Sequence, residues 1–152
     1  MPRAWYDNMR IALCIAVIFG AALSSAQSSA PANDFSLTLE RIGCLGTCPD
    51  YKVTIQGDGT LRYEGRSYVR VKGIREKKLP SKVVQKLAQK LQEEDFFHWE
   101  QPGGVCIDAP ETHITATLSG ARNHALEGCN TSGKVLNLAT EIVKITGIRH
   151  WI

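Results

Sequence analysis

The chain has 152 residues, 43% of them hydrophobic, and its 18 Lys and Arg against 15 Asp and Glu give a formal net charge of +3 at pH 7. A balance this close to neutral argues against a dedicated nucleic-acid binder, which needs a strong excess of positive charge. The length favours one domain that buries about two thirds of its surface on folding.

The N-terminus has the composition of a secretory signal. Arg3 and Arg10 precede an apolar run over residues 11–23, and three small residues end the segment. We predict a signal peptide over residues 1–26, whose cleavage also removes Cys14. The apolar run is shorter than the roughly 20 residues that span a bilayer, so no membrane span is expected after cleavage. An uncleaved membrane anchor is the alternative.

The mature chain begins with a predicted leader and two strands. Residues 27–34 are mostly Ser, Ala and Pro, which is typical of a flexible segment, and residues 35–152 are expected to form one domain. Apolar and polar residues alternate over 35–40 and again over 51–56, the period of half-buried strands. Residues 57–59, Gly-Asp-Gly, then favour a hairpin turn.

The chain returns from this turn in a third strand. Leu61 and Tyr63 continue the apolar face, and Gly65 is the expected end of the run. Residues 68–72 alternate again and predict a further strand.

The apolar period changes after Pro80, where Ser81 can cap a helix that we expect to end near Glu94. The residues on its apolar stripe are Val84, Leu87, Ala88 and Leu91. Residues 98–110 show no periodicity and predict a loop.

A second hairpin and a second helix complete the chain. Residues 114–118 and 122–127 flank a tight turn at Ser119-Gly120. Thr131 or Ser132 can cap the last helix, which Gly147 terminates. The inward residues of this helix are Val135, Leu138, Ala139, Ile142 and Ile145. The order β-β-β-(β)-α-β-β-α predicts an α+β fold, an antiparallel sheet with both helices packed on one face.

Four cysteines remain after signal cleavage, and they permit three pairings. We favour Cys44–Cys48, which are close in sequence, and Cys106–Cys129, which flank the second hairpin. Disulfides form and persist outside the cytoplasm, so export favours structural bridges.

Two other functions are open for Cys44 and Cys48. A redox-active pair is usually C-x-x-C at a helix N-terminus, whereas a strand pattern follows here. A soft-metal site is the other alternative, because thiolates suit Cu(I).

Two histidines fall on the polar face of the second hairpin. A two-residue turn places His124 opposite Thr115, with His113 diagonal to it. No third ligand occurs at a recognised spacing, so we predict no metal site. The sequence also contains no G-x-S-x-G, H-E-x-x-H or phosphate-binding glycine loop, and we predict no catalytic residue and no cofactor.

Basic residues are concentrated between positions 62 and 90. Three of them recur every four residues and therefore lie along one side of the first helix. The candidate surface for an anionic partner comprises Arg62, Arg66, Arg70, Lys72, Lys82, Lys86 and Lys90. An ordinary solvated helix face is the alternative interpretation.

Several short segments occur together in residues 35–152. They are Glu40-Arg41, Cys44-x-Gly46-x-Cys48-Pro49-x-Tyr51, Ile55-x-x-Asp58-Gly59, Tyr63-x-Gly65, Cys106-x-Asp108-x-Pro110 and Thr146-Gly147-x-x-x-Trp151. In this combination, and above all in its C-x-G-x-C-P-x-Y segment, the chain resembles a bacterial exported domain family of unknown function. The resemblance implies a small domain of the bacterial cell envelope, and it supplies no activity, substrate or catalytic residue.

Taken together, these features predict a periplasmic or secreted, non-enzymatic binding or accessory module. Its expected partner is an anionic envelope component or another envelope protein, and not a nucleic acid. The alternative is a thiol redox or soft-metal-handling protein that uses Cys44 and Cys48.

Overall fold

The computed structural model describes residues 34–100, 109–128 and 133–152. The predicted signal peptide, nearly all of the leader, Cys106, Cys129 and the proposed helix caps Thr131 and Ser132 lie outside these ranges. The strands are β1 (Ser36–Ile42), β2 (Asp50–Gln56), β3 (Thr60–Ser67), β4 (Gly73–Lys78), β5 (Glu111–Leu118) and β6 (Ala121–Glu127). The helices are α1 (Ser81–Glu93) and α2 (Lys134–Thr146), and short 3-10 turns follow at Phe96–His98 and Arg149–Trp151.

All six strands form one antiparallel sheet in the order β4-β3-β2-β1-β5-β6. The predicted α+β class is therefore confirmed. Strands that follow each other along the chain are neighbours in the sheet, except β4 and β5. Helix α1 lies between these two strands in the chain, and β5 pairs with β1 instead.

The core lies between the helices and one face of the sheet. Leu37 and Leu39 of β1 are fully buried, as are the inward residues of its neighbours. From the helices, Leu87, Leu91 and Ile142 are also buried. Burying a side chain of this size contributes about 1.5–3 kcal/mol, so this shared core holds both helices on the sheet.

Both predicted hairpins are present. Gly59 has a φ of 88° and its amide donates to the Gln56 carbonyl, closing the first turn. The second turn has positive φ at both Ser119 and Gly120, as the type I′ turn of a two-residue hairpin requires. Its register pairs Thr115 with His124, as predicted.

The prediction of a strand over residues 68–72 was wrong, and the fourth strand is β4, which begins at Gly73. Tyr68 adopts a φ of 52°, which turns the chain out of the sheet. The Val71 amide then donates to the Trp151 carbonyl at 2.9 Å, so this loop pairs with the C-terminal segment. Alternation in the sequence does not identify a hydrogen-bonding partner, which here lies far along the chain.

Gly65 does not end β3, which continues to Ser67. A Cβ at this buried position would collide with the Val71 carbonyl and the Tyr63 ring. The glycine therefore permits the loop after β3 to fold back onto the sheet.

The helix ends differ in part from expectation. Ser81 is the first residue of α1 and Pro80 occupies the cap position, with no side-chain hydrogen bond. The buried carboxylate of Glu127 accepts hydrogen bonds from the Val135 and Leu136 amides, at 2.7 and 3.0 Å, and so caps α2 from β6. Gly147 ends α2 with a φ of 66°, as predicted.

Candidate functional site

A seven-residue connection between β1 and β2 carries the C-x-x-x-C segment. The structure joins Cys44 and Cys48 in a disulfide with a Cα–Cα distance of 5.5 Å, in keeping with the predicted pairing. The Gly46 amide donates to the Cys44 sulfur at 3.3 Å. A strand and not a helix follows Cys48, so the segment lacks the helix N-terminus at which redox-active C-x-x-C pairs usually lie.

A pocket of about 790 Å³ lies where this connection leaves the sheet. Arg41 and Tyr51 face each other at the adjoining ends of β1 and β2, and both line it. Helix α2, the loop before β4 and the C-terminal segment supply the remaining walls. These walls comprise Arg70, Ala139, Thr140, Val143, Lys144, Gly147, Arg149, His150 and Ile152.

Positive charge is concentrated in this pocket. Arg41, Arg70 and Arg149 come from three separate segments, and within the described ranges none of their side chains forms an ion pair. Lys144 contacts the Glu141 carboxylate at 3.4 Å, with both side chains partly exposed to water. Exposed pairs of this kind are weak, so the pocket retains a net positive charge.

Arg41 carries an unpaired donor. Its Nε is buried and has no hydrogen-bond partner among the described residues. A buried donor without a partner costs about 1–3 kcal/mol. The residue as a whole is only partly buried and lines the pocket.

Tyr51 provides a second polar group beside Arg41. Burial raises the pKa of its hydroxyl to about 12, although the nearby Arg41 charge opposes this shift. The phenol is therefore neutral, and its proton is available as a hydrogen-bond donor over the physiological pH range. Its ring stacks on Tyr63 with a centroid distance of 6.0 Å.

The C-terminal segment is fastened to the sheet next to the pocket. The Tyr63 hydroxyl donates to the Trp151 carbonyl at 3.1 Å, and the Arg70 amide donates to the Ile152 carbonyl at 3.4 Å. Lys77 Nζ donates to the Thr146 carbonyl and lies 5.2 Å from the centre of the Trp151 ring. These contacts fix Arg149 and His150 at the pocket wall.

The predicted basic surface is distributed over both sides of the molecule. On β3, Arg62 lies near the carboxylates of Glu64 and Glu76, on the face opposite the helices. The Arg66 guanidinium contacts Glu40 and Asp50 at 2.7 and 2.5 Å on the same face.

The remaining predicted cations belong to α1 and the loop before β4. Lys82 and Lys86 are exposed on α1, and Lys90 pairs with Glu94 at 2.7 Å. Lys72 is exposed in the loop. Arg70 alone of the seven lines the pocket.

The two histidines meet on the open face of the sheet. Their ring centres are 5.4 Å apart, and His113 contacts the Glu111 carboxylate at 3.0 Å. Desolvation and then the His113 charge lower the pKa of His124. Among the described residues, no three His, Cys, Asp or Glu side chains group as metal ligands.

The family model for a domain of unknown function, DUF6438, matches residues 35–146. The chain belongs to the DUF6438 family. The match covers every strand and both helices, so the fold described above is that of a DUF6438 domain. None of the curated proteins compared with the chain matches it. Neither helix of the described segments has the length and apolarity to cross a membrane.

Sequence reasoning did not identify Arg41, Tyr51, Lys144 or Arg149 as site residues. One signal was present, because the alternation that buries Leu37 and Leu39 assigns the same inward face to Arg41. A cation at an inward strand position needs either an anion or a cavity. The contribution of α2 had no comparable signal, since it depends on how the helix packs.

Proposed function

We propose that this DUF6438 domain is an exported, non-enzymatic binding module of the bacterial cell envelope, and that its pocket binds an anionic group of the ligand. The observation that carries the proposal is the convergence of Arg41, Arg70 and Arg149 on one pocket without carboxylate partners in the described ranges. Side chains of like charge repel each other, so such a group is stabilised when an anion occupies the space between them.

The residue types suit this role. A guanidinium group presents planar N–H donors that match the oxygen atoms of a carboxylate or phosphate, and its charge does not depend on pH in the physiological range. The neutral Tyr51 hydroxyl adds a donor that cannot repel the ligand. Nothing in this set is a nucleophile paired with a base, so the proposal is binding without chemistry.

Export and the disulfide support each other in this proposal. The N-terminal segment has the features of a cleaved signal, and an oxidising compartment maintains the Cys44–Cys48 bridge. The bridge closes the connection between β1 and β2, next to Arg41 and Tyr51. We assign it the role of holding the pocket end of these two strands in place.

An anion-binding measurement tests the pocket. In a calorimetric titration of the purified protein with inorganic phosphate and with acetate, Arg41→Met and Arg149→Gln are each expected to weaken binding about tenfold, the effect of losing one charge-assisted hydrogen bond. Lys86→Gln removes the same charge from α1, away from the pocket, and is the matched control. Equal affinities in all four proteins would show that the pocket is not an anion site.

Export requires a separate test. Fractionation of the source cells is expected to place the protein outside the cytoplasm, with Gln27 as its first residue. Mass mapping of the same material is expected to find Cys44 linked to Cys48. Full-length protein in the cytoplasmic fraction contradicts the proposed location and leaves the result for the pocket unaffected.

A further inference from the structure

The pocket has an apolar surface and a positively charged surface, and these come from different segments of the chain. Ala139 and Val143 are four residues apart on α2, and Gly147 follows at the same spacing just past the end of the helix, so the three form one row that lines the pocket. Ile152 and the ring of Tyr51 add further apolar area. The arginines come from β1, the loop before β4 and the segment after α2.

The pocket is much larger than an inorganic anion. Its volume of about 790 Å³ falls in the range that accommodates organic ligands. A water molecule takes up about 30 Å³ of the liquid, so a phosphate or acetate ion would leave most of the space filled with water. Water against the row formed by Ala139 and Val143 has few polar groups to bind there.

An amphiphilic ligand satisfies both surfaces at once. Its anionic end offers an acceptor to the Arg41 guanidinium group and the Tyr51 hydroxyl, and its apolar part covers the α2 row. Each methylene group that leaves water for this row strengthens binding by about fourfold. A small hydrophilic anion gains the interaction with the polar groups of the pocket, but it has no apolar part to bury against the α2 row.

We propose that the ligand of this pocket is an organic anion with an apolar chain, a carboxylate or phosphate monoester whose chain lies along α2. This inference rests on the proposed anion-binding function and narrows it to one ligand class. A free organic acid and an anionic lipid share this chemistry, and the test separates them.

A chain-length series measures the apolar contribution. The purified protein is titrated calorimetrically with sodium acetate, sodium butyrate and sodium octanoate, and with octyl glucoside as an uncharged amphiphile. We expect octanoate to bind at least about tenfold more tightly than acetate, since several methylenes leave water. Octyl glucoside is expected to bind at least about tenfold more weakly than octanoate, because it lacks the charge.

Substitutions on the α2 row locate the chain. Val143→Phe fills the pocket and is expected to weaken octanoate binding about tenfold. The affinity for acetate is expected to stay within about threefold of that of the unmodified protein. Val143 is only partly buried, and Val143→Thr, which replaces one methyl group by a hydroxyl and keeps nearly the same shape, is the second variant should Val143→Phe fail to fold. Val143→Thr is expected to weaken octanoate binding about threefold. Lys86→Gln on α1 is again the control.

The outcomes separate the inference from the function on which it rests. Octanoate and acetate affinities that agree within about threefold, both weakened about tenfold in Arg41→Met, overturn the inference and leave the anion site standing. Absence of binding by any of the anions overturns both. Competition of octanoate by vesicles of phosphatidic acid, whose headgroup is a phosphate monoester, identifies lipid as the source of the ligand, and lack of competition identifies a free organic acid.

Discussion

Arg41 and Tyr51 occupy facing positions on β1 and β2, and both side chains line the pocket beside α2. Every inward residue that precedes Arg41 on β1 is apolar and fully buried. The strand thus places a cation at the margin of the core, next to a tyrosine whose hydroxyl is held neutral. This pair links the packing of the sheet to the electrostatics of the pocket.

Replacing Arg41 is expected to leave the fold intact and to increase its stability. Arg41→Met keeps the aliphatic part of the side chain and removes the buried Nε that lacks a partner. We expect a gain of about 1 kcal/mol in the free energy of unfolding, from the relieved desolvation. Urea denaturation measures this gain. A decrease of more than about 1 kcal/mol in the free energy of unfolding would show that the nitrogen has a hydrogen-bond partner.

Ionisation of Tyr51 is expected to lower the stability of the protein in alkali. The folded-state pKa of about 12 lies above the ordinary value of 10.0, so the folded protein holds this proton more tightly. The resulting stabilisation is complete below pH 10 and is lost as the pH rises to about 12, by about 2–3 kcal/mol.

Urea unfolding across that pH range measures this loss, and Tyr51→Phe is expected to make the dependence shallower by the same amount. Tyr68→Phe removes a hydroxyl that is on an exposed side chain, 57% accessible, and serves as the control. An unchanged pH dependence in Tyr51→Phe would rule out burial of the phenol.

The disulfide is expected to contribute to stability and to pocket geometry. Replacing Cys44 and Cys48 by serine should lower the free energy of unfolding by about 2 kcal/mol, as expected for so short a loop. The same variant should bind anions more weakly, because the ends of β1 and β2 gain freedom. A thiol titration of native protein is expected to find this pair unreactive, whereas ready reduction by mild reductant would favour the redox alternative.

Gly65 is required by the close approach of the loop before β4. Gly65→Ala introduces a Cβ that collides with the Val71 carbonyl, and we expect a loss of about 3 kcal/mol or more. Gly120→Ala is the matched control. Its φ is 81° and no atom lies near the added Cβ, so only the backbone cost of about 1 kcal/mol applies. Thermal unfolding compares the two, and equal losses would show that the loop yields to the added methyl.

Glu127 caps α2 through tertiary structure. Glu127→Ala removes the acceptor for two amides and the negative charge near the helix N-terminus. We expect a loss of about 1–2 kcal/mol, with the start of α2 losing protection in amide exchange. Glu76→Ala, on an exposed residue of β4, should cost less than about 0.5 kcal/mol. Unchanged exchange at Val135 would mean that another group caps the helix.

Local patterns in the sequence accounted for most of the fold. Apolar alternation, the Gly-Asp-Gly and Ser-Gly turns and the two apolar stripes predicted five of the six strands and both helices. Residues 68–72 do not form the predicted strand because their backbone amides donate hydrogen bonds to the carbonyls of Trp151 and Ile152. No local sequence pattern identifies partners so far along the chain.

The sequence by itself determined the α+β class, the hairpin register and the closeness of Cys44 to Cys48, because each depends on residues that are neighbours along the chain. The tertiary structure decided the site. Arg41, Arg70 and Arg149 become neighbours only when β1, the loop before β4 and the segment after α2 meet. The same folding divides the basic residues that are clustered in the sequence among ion pairs on the open face of the sheet, the surface of α1 and the loop before β4, and only Arg70 of the seven lines the pocket. Charge in a sequence is a local property, whereas an electrostatic potential depends on which segments the core brings together.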